Sequence, residues 1–175
     1  MEKNAVLQAI RTRRSVKAYL PDAVPQEKLD AILQAGLYAA SGMNRQSAIV
    51  LCVTDPEVRN QLSRMNAAVM GAEGRDPFYG VPCVLVVLAD RSVPTGVYDG
   101  SLMLGNMMLA AHAEGLGSCW IHRAKEEFDS EEGKEILRKA GITGDYVGVG
   151  HLVVGYPKGG EPEAKPRRDG RVFRI

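Results

Sequence analysis

An α+β fold, built as a three-layer α/β/α sandwich around one mostly antiparallel sheet, is the architecture this sequence predicts, and three observations predict it. Continuous apolar runs of strand length are interspersed with stretches of helical periodicity, and the helices are in the majority. One helical stretch, residues 98–114, carries Leu102, Met103, Leu104, Met107, Met108 and Leu109 around most of its circumference, which marks a central, buried helix. The chain has 175 residues, enough to bury a real core and short for two domains, so residues 1–175 are read as one domain.

The elements follow in order. Residues 4–12 place Val6, Leu7 and Ile10 on one helical face. A turn between Pro21 and Pro25 precedes a second helix, with Leu29, Ile32, Leu33 and Leu37 at helical spacing, Gly36 as a weak point, and an expected end near Ser41 and Gly42. Residues 48–54 read as a buried strand. Asp55 and Pro56 then suit the cap and first position of a helix running through Met65. A second buried strand is expected over 84–88, after Gly80 and Pro82. Gly100, Ser101 and Gly105 on the central helix permit close helix packing, including a subunit contact. A short strand at 118–121, a helix at 131–139 and a strand at 146–154 complete the chain, whose strand order the sequence does not specify.

Charge and cysteine usage narrow the function. With 22 basic and 21 acidic side chains the net charge is +1, so no global field favours nucleic acid or an anionic membrane. No apolar run reaches spanning length and the first residues lack the apolar core of a signal peptide, so the expectation is a cytoplasmic protein without a membrane partner. Cys52, Cys83 and Cys119 are odd in number and set in apolar runs, as expected of reduced, buried thiols.

The basic residues cluster locally. Arg13, Arg14, Ser15 and Lys17 follow the first helix, and Lys165, Arg167 and Arg168 lie near the C-terminus. Guanidinium forks, a hydroxyl and an ammonium together suit a terminal phosphate, and a phosphorylated cofactor would tie the two ends together; ordinary solvated basic segments have the same composition. Between residues 39 and 46, small residues end a helix and Asn44 and Gln46 then offer amide donors and acceptors suited to the edge of a heterocyclic ring, or simply a polar loop. Asn66 shares that ambiguity. The glycines at 115 and 117, and at 148, 150 and 155, do not follow a strand and open a helix as a dinucleotide fingerprint requires. Cys119 and His122, with His112 and His151, give a single short metal-type spacing, which argues for no metal site, and no serine sits in a nucleophile elbow.

Taken in order, RRSVKAY at 13–19, AASGMNRQ at 39–46, FYGVPCVLVV at 78–87, DGSLMLGNMMLAAHAEGLGSCWI at 99–121, GVGHLVVGYP at 148–157 and KPRR at 165–168 resemble the nitroreductase family of flavoproteins. Each motif is weak alone; six in the family's order are specific. The resemblance implies a nitroreductase-like fold and a homodimer with FMN at the subunit interface, reduced by NADH or NADPH in a ping-pong cycle and oxidised by a nitroaromatic, quinone or similar acceptor. It implies that Arg13, Arg14, Ser15 and Lys17, with Lys165 and Arg167, hold the FMN phosphate and ribityl chain. Ser41, Met43, Asn44 and Gln46 match the segment that reaches the flavin from the partner subunit, and Asn66 matches a polar side chain near its pyrimidine side. Trp120, Ile121, His122 and Arg123 match the segment lying along the ring near N5. No catalytic side chain is implied, since flavin N5 carries the hydride.

The chain departs from the family pattern in three places. His122 and Arg123 stand where small or acidic residues are common, and their positive charge favours a reduced flavin or an anionic acceptor. Gln46 is followed by Ser47 and Ala48 rather than Pro and Trp. The region 65–78 is short, which opens the site. Rival functions are a non-catalytic FMN carrier or sensor, with His122 and Arg123 blocking the substrate face, and a relative that cleaves flavin or dehalogenates, which usually needs a longer lid. A metal- or nucleic-acid-binding module would instead be colourless.

Overall fold

Four strands form the sheet: β1 (Ala48–Val53), β2 (Cys83–Asp90), β3 (Gly117–Ile121) and β4 (Tyr146–Gly155), in the order β1-β2-β4-β3 with every neighbouring pair antiparallel. The structure, a computed structural model, describes residues 4–160 and 162–175. β2 lies in the middle and is buried at every position but its last, which is why its sequence reads as an unbroken apolar run. Its side chains alternate between two cores. Val84, Val86 and Leu88 meet Leu62 and Met65 of α3 (Pro56–Val69), Phe128 of α5 (Ala124–Asp129) and Ile136 and Leu137 of α6 (Glu131–Lys139). Cys83, Leu85, Val87 and Ala89 meet Leu29 and Ile32 of α2 (Gln26–Leu37) and Leu104 and Met107 of α4 (Gly96–Ala113). Helices therefore cover both faces, and the three layers expected from the sequence are present.

Local chemistry sets the boundaries. Asn4 caps α1 (Ala5–Thr12) by accepting from the Val6 and Leu7 N–H groups, and Asp55 caps α3 through Glu57 and Val58. α2 ends at Leu37, several residues before the expected Ser41–Gly42 boundary. Its last turn closes through Tyr38 and Ala39, and Ser41 is already extended at φ −134. Gly36 is less a weak point than a contact: a Cβ there would lie 2.7 Å from the Met107 side chain of α4. α3 continues one turn past Met65, and α5 was not expected at all.

α4 is central but not enclosed. Met103, Leu104 and Met107 are buried, while Leu102 is 53% exposed and Tyr98 72% exposed because the single chain has no element to cover that side. Val6, Leu7 and Ile10 of α1 and Tyr38 beyond α2 are exposed as well. Cys83 and Cys119 are buried free thiols, whereas Cys52 is only half-buried.

The bulge in β4 matters for the site. Pairing steps from Val87↔Gly150 to Leu88↔Gly148, leaving Val149 as the extra residue. Val149 turns toward Gly100 of α4, and the opposite surface at Gly148 receives the Ala124 carbonyl at the start of α5. No helix among the described residues is long and apolar enough to cross a membrane.

Candidate functional site

The free edge of β3 is where the basic N-terminal motif docks. Ser15 bridges Ser118 in parallel fashion, the Val16 N–H donates to the Ser118 carbonyl at 3.0 Å, and the Val16 side chain covers Gly117, where a Cβ would clash. This zipper brings Ser15 and Lys17 to one wall of a cleft of about 730 Å³. Cys119, Trp120, Ile121, His122 and Arg123 form the floor, and Met70, Arg75, Asp76, Pro77 and Tyr79 form the far wall. A second cleft of about 520 Å³, between β1, α3 and α6, contains none of the candidate cofactor-binding residues.

At the Ser15 end the cleft is donor-rich. Ser15 hydrogen-bonds the Cys119 thiol, and the Lys17 and Arg13 charges lie close enough to act on it. Burial nevertheless dominates and pushes this thiol up from its ordinary value, so Cys119 is a packed thiol rather than a nucleophile. Arg14 Nη1 donates to the Arg11 and Arg13 carbonyls at 2.7 and 2.6 Å and so seals the end of α1. Arg13 Nη1, Arg14 Nε and Ser118 Oγ are buried without a hydrogen-bond partner. Unpaired buried donors are costly, and these three lie beside Ser15 without lining the cleft themselves.

The far wall is held by one ion pair and its neighbours. Buried Arg59 donates from Nε to the Val81 carbonyl at 2.9 Å and from Nη2 to Asp76, which also accepts from Ser63 Oγ and from the Phe78 and Gly80 N–H groups. Burial alone would raise the Asp76 carboxyl, but Arg59, Ser63 and the two N–H groups together hold it below its usual value. A depressed carboxylate stabilises the fold fully above its unfolded pKa of about 4, and that contribution is lost as pH falls through the lower folded value. Asp76→Asn should therefore flatten the acid limb of a melting-temperature profile below about pH 4 while lowering stability at neutral pH.

At the other end, β3 runs into a strained turn. Arg123 is left-handed at φ 79, with its backbone at the N-terminus of α5, and Trp120 leans against Gly150, where any Cβ would strike the indole nitrogen. Ile121 is buried and His122 is exposed at the cleft mouth. Asn66 must be corrected: it is 0% exposed and lines no cleft. Its amide donates to the His122 carbonyl at 2.9 Å and to Glu127, and its own carbonyl accepts from Arg123 Nε at 3.0 Å, so its polar capacity is used within the protein.

Arg13 and Arg14 adjoin the cleft without lining it, and two further predicted groups lie outside it altogether. The structure does not bring the chain ends together: residues 162–175 form no regular element and are exposed throughout, and neither Lys165 nor Arg167 lines the cleft. No apolar side chain of the tail is buried that would anchor it; Val172 and Phe173 are exposed. Ser41, Met43, Asn44 and Gln46 also stay away from the cleft within one chain. Their loop is unusual, with Met43, Asn44 and Gln46 all left-handed at φ 53, 53 and 48. Buried Asp99 of α4 anchors it by accepting from the Gly42 N–H at 3.0 Å and from the Ser47 and Thr95 hydroxyls. Asp99→Ala should cost about 1–3 kcal/mol by stranding those donors, seen as a melting temperature lower by roughly 2–10 °C and faster tryptic cleavage after Arg45.

The sequence did not point to Met70, Arg75, Pro77, Tyr79, Asp99 or Glu127, and pointed to His151 only within a metal-type spacing. A signal existed only for the far wall, in the turn-forming run of Gly74, Asp76, Pro77 and Gly80.

A family sequence model described as the nitroreductase family matches residues 10–156. An NADPH-flavin oxidoreductase of Vibrio harveyi is 28% identical over 180 residues, covering 97% of this chain and 72% of its own length. Among solved structures, a nitroreductase with bound FMN from Bacteroides fragilis superposes with a TM-score of 0.90 at 27% identity, covering 99% of this chain and 100% of the other. An FMN-dependent nitroreductase from Clostridium difficile superposes at 0.87 with 25% identity, at the same coverage. With the family match spanning most of the chain and the whole fold shared with such structures, this protein belongs to the nitroreductase family.

Proposed function

We propose that this protein is an FMN-dependent oxidoreductase, one domain per chain and a homodimer, that takes electrons from NADH or NADPH and delivers them to a nitroaromatic, quinone or similar electrophile by a ping-pong cycle. The observation that carries this reading is the cleft along β3. It has Ser15 and Lys17 at one end, with the buried, unpartnered donors of neighbouring Arg13, Arg14 and Ser118 behind them, and the Trp120–Arg123 segment along its floor, in about 730 Å³ of space. FMN, when bound there, supplies hydride chemistry that no side chain of this protein can perform.

The protein's own residues do the rest. Arg13, Arg14, Ser15 and Lys17 bind the phosphate by charge-assisted hydrogen bonds. Trp120, Ile121, His122 and Arg123 orient the ring, and the Arg123 charge favours the electron-rich reduced cofactor and anionic acceptors. Tyr79 and Pro77 exclude water from the far wall. In the dimer, Ser41, Met43, Asn44 and Gln46 reach the partner's cleft, and Lys165 and Arg167 join the phosphate set. The exposed apolar surface of Val6, Leu7, Ile10, Tyr38, Tyr98 and Leu102 supports such pairing, because a contiguous apolar face is seldom left in water.

The test is the visible spectrum of the freshly purified protein, followed by release and chromatography of the chromophore. Bound FMN, twice the 19.0 kDa chain mass by light scattering, and steady NADH or NADPH oxidation with a quinone support the proposal. Bound FMN without turnover would favour the non-catalytic carrier or sensor. A colourless protein that takes up no added FMN would remove the basis for the assignment.

A further inference from the structure

A buried polar chain runs behind the cleft floor, and nothing in the proposed cycle uses it. His151 of β4 is 0% exposed and Glu127 of α5 is 1% exposed, with His151 Nε2 3.2 Å from Glu127 Oε2, within ion-pair distance though without hydrogen-bond geometry. Phe78 and Phe128 flank the imidazole, with ring centroids 5.1 and 6.3 Å away. The other Glu127 oxygen, Oε1, accepts from Asn66, and Asn66 in turn binds the His122 carbonyl and Arg123 Nε.

Packing does not account for this arrangement. A carboxylate costs several kcal/mol to bury even when paired, and apolar residues of equal volume would fill the same space at least as well. What the pair does is orient Asn66. Glu127 Oε1 and the His122 carbonyl both accept from the Asn66 NH₂, and a guanidinium only donates, so the Asn66 oxygen faces Arg123. Held in that one orientation, Asn66 grips the strained turn twice, through the carbonyl before Arg123 and through the Arg123 side chain. A left-handed backbone is strained at a non-glycine residue such as Arg123, so the turn persists only where its surroundings enforce it.

We propose that Glu127 and His151 are positioning residues for the cleft. Acting through Asn66, they enforce the left-handed turn at Arg123 and keep its guanidinium in the cleft wall, where a bound ligand meets a fixed positive charge. The inference rests on the FMN reading only for the identity of that ligand, since the turn and its supports are present in the chain itself.

Amide hydrogen exchange on the FMN-free protein tests it. Glu127→Gln, which keeps the shape and removes the charge, should raise exchange of peptides covering residues 122–125 tenfold or more, while β2 and the body of β4 keep wild-type protection. Asn66→Ser should do the same, and the double variant should match Asn66→Ser alone, because Glu127 acts through Asn66. His151→Gln is the second variant should Glu127→Gln fail to fold, with the same pattern expected. In FMN-loaded protein, Asn66→Ser changes no charge, yet its flavin midpoint potential should fall as Arg123 loses its fixed place. Protection at 122–125 unchanged in Glu127→Gln, loss spread evenly over α5 and β4, or additive effects in the double variant would each overturn the proposal. Failure to bind FMN would overturn the proposed function and leave the exchange result to decide this one.

Discussion

Gly148→Ala should lower the melting temperature by roughly 6–12 °C and cost the protein its cofactor affinity in the same step. The new Cβ would land on the Ala124 carbonyl and lie 2.8 Å from the Lys125 nitrogen, both backbone atoms that no rotamer change can move aside. Overpacking ordinarily costs 1–3 kcal/mol, and a clash between two backbones belongs at or above the top of that range, about 3 kcal/mol, which for a chain of this size gives the stated shift. α5 is the element that must yield. It carries Glu127 and begins immediately after Arg123, so its displacement moves the cleft floor as well as the core. Thermal unfolding by circular dichroism and FMN titration of the same variant check both halves. Stability lost with affinity kept would mean that the floor does not depend on the β4 bulge.

Arg13→Ala should weaken FMN binding by roughly 10- to 150-fold, the equivalent of 1.5–3 kcal/mol for a hydrogen bond to a charged group. Arg13 stands out because one of its guanidinium nitrogens is buried and unpartnered, so its removal loses a donor already withdrawn from water. Lys17 is exposed, and Lys17→Ala should have a smaller effect that shrinks further as salt is added. Quenching of flavin fluorescence on titration gives both affinities. Equal losses for the two variants would move the phosphate away from the buried end of the cleft.

Most of the sheet was legible because its strands are short apolar runs bounded by strong punctuation, as with Asp55 and Pro56 after β1 or Gly80 and Pro82 before β2. α5 was not, because six residues between a strand and a helix carry no periodicity and its first residue is preceded by an arginine in a glycine-like conformation. Ser15, Lys17 and the Trp120–Arg123 segment meet in one cleft because the motif and the strand are joined by backbone pairing. Asn66, a polar residue in an apolar stretch, reads equally as a ligand contact or as an internal brace, and in the fold it is fully buried. Glu127 is hidden for the same reason: a glutamate in the run AKEEFD looks like solvated helix surface, and only the fold shows that it faces inward toward His151. Within one chain the tail and the 41–46 loop lie away from the cleft, and the place proposed for them in a partner's cleft is not something a pattern within one chain encodes.

The loop around Met43 has a consequence for anyone who tries to improve this protein. Its three left-handed residues are strained in a way that glycine would relieve, and Met43 is 86% exposed, its sulfur meeting the Arg45 guanidinium two residues away. Selection for heat resistance alone would therefore enrich glycine at 43, 44 and 46, and the hardiest clones would be those that had erased the side chains proposed to reach a partner.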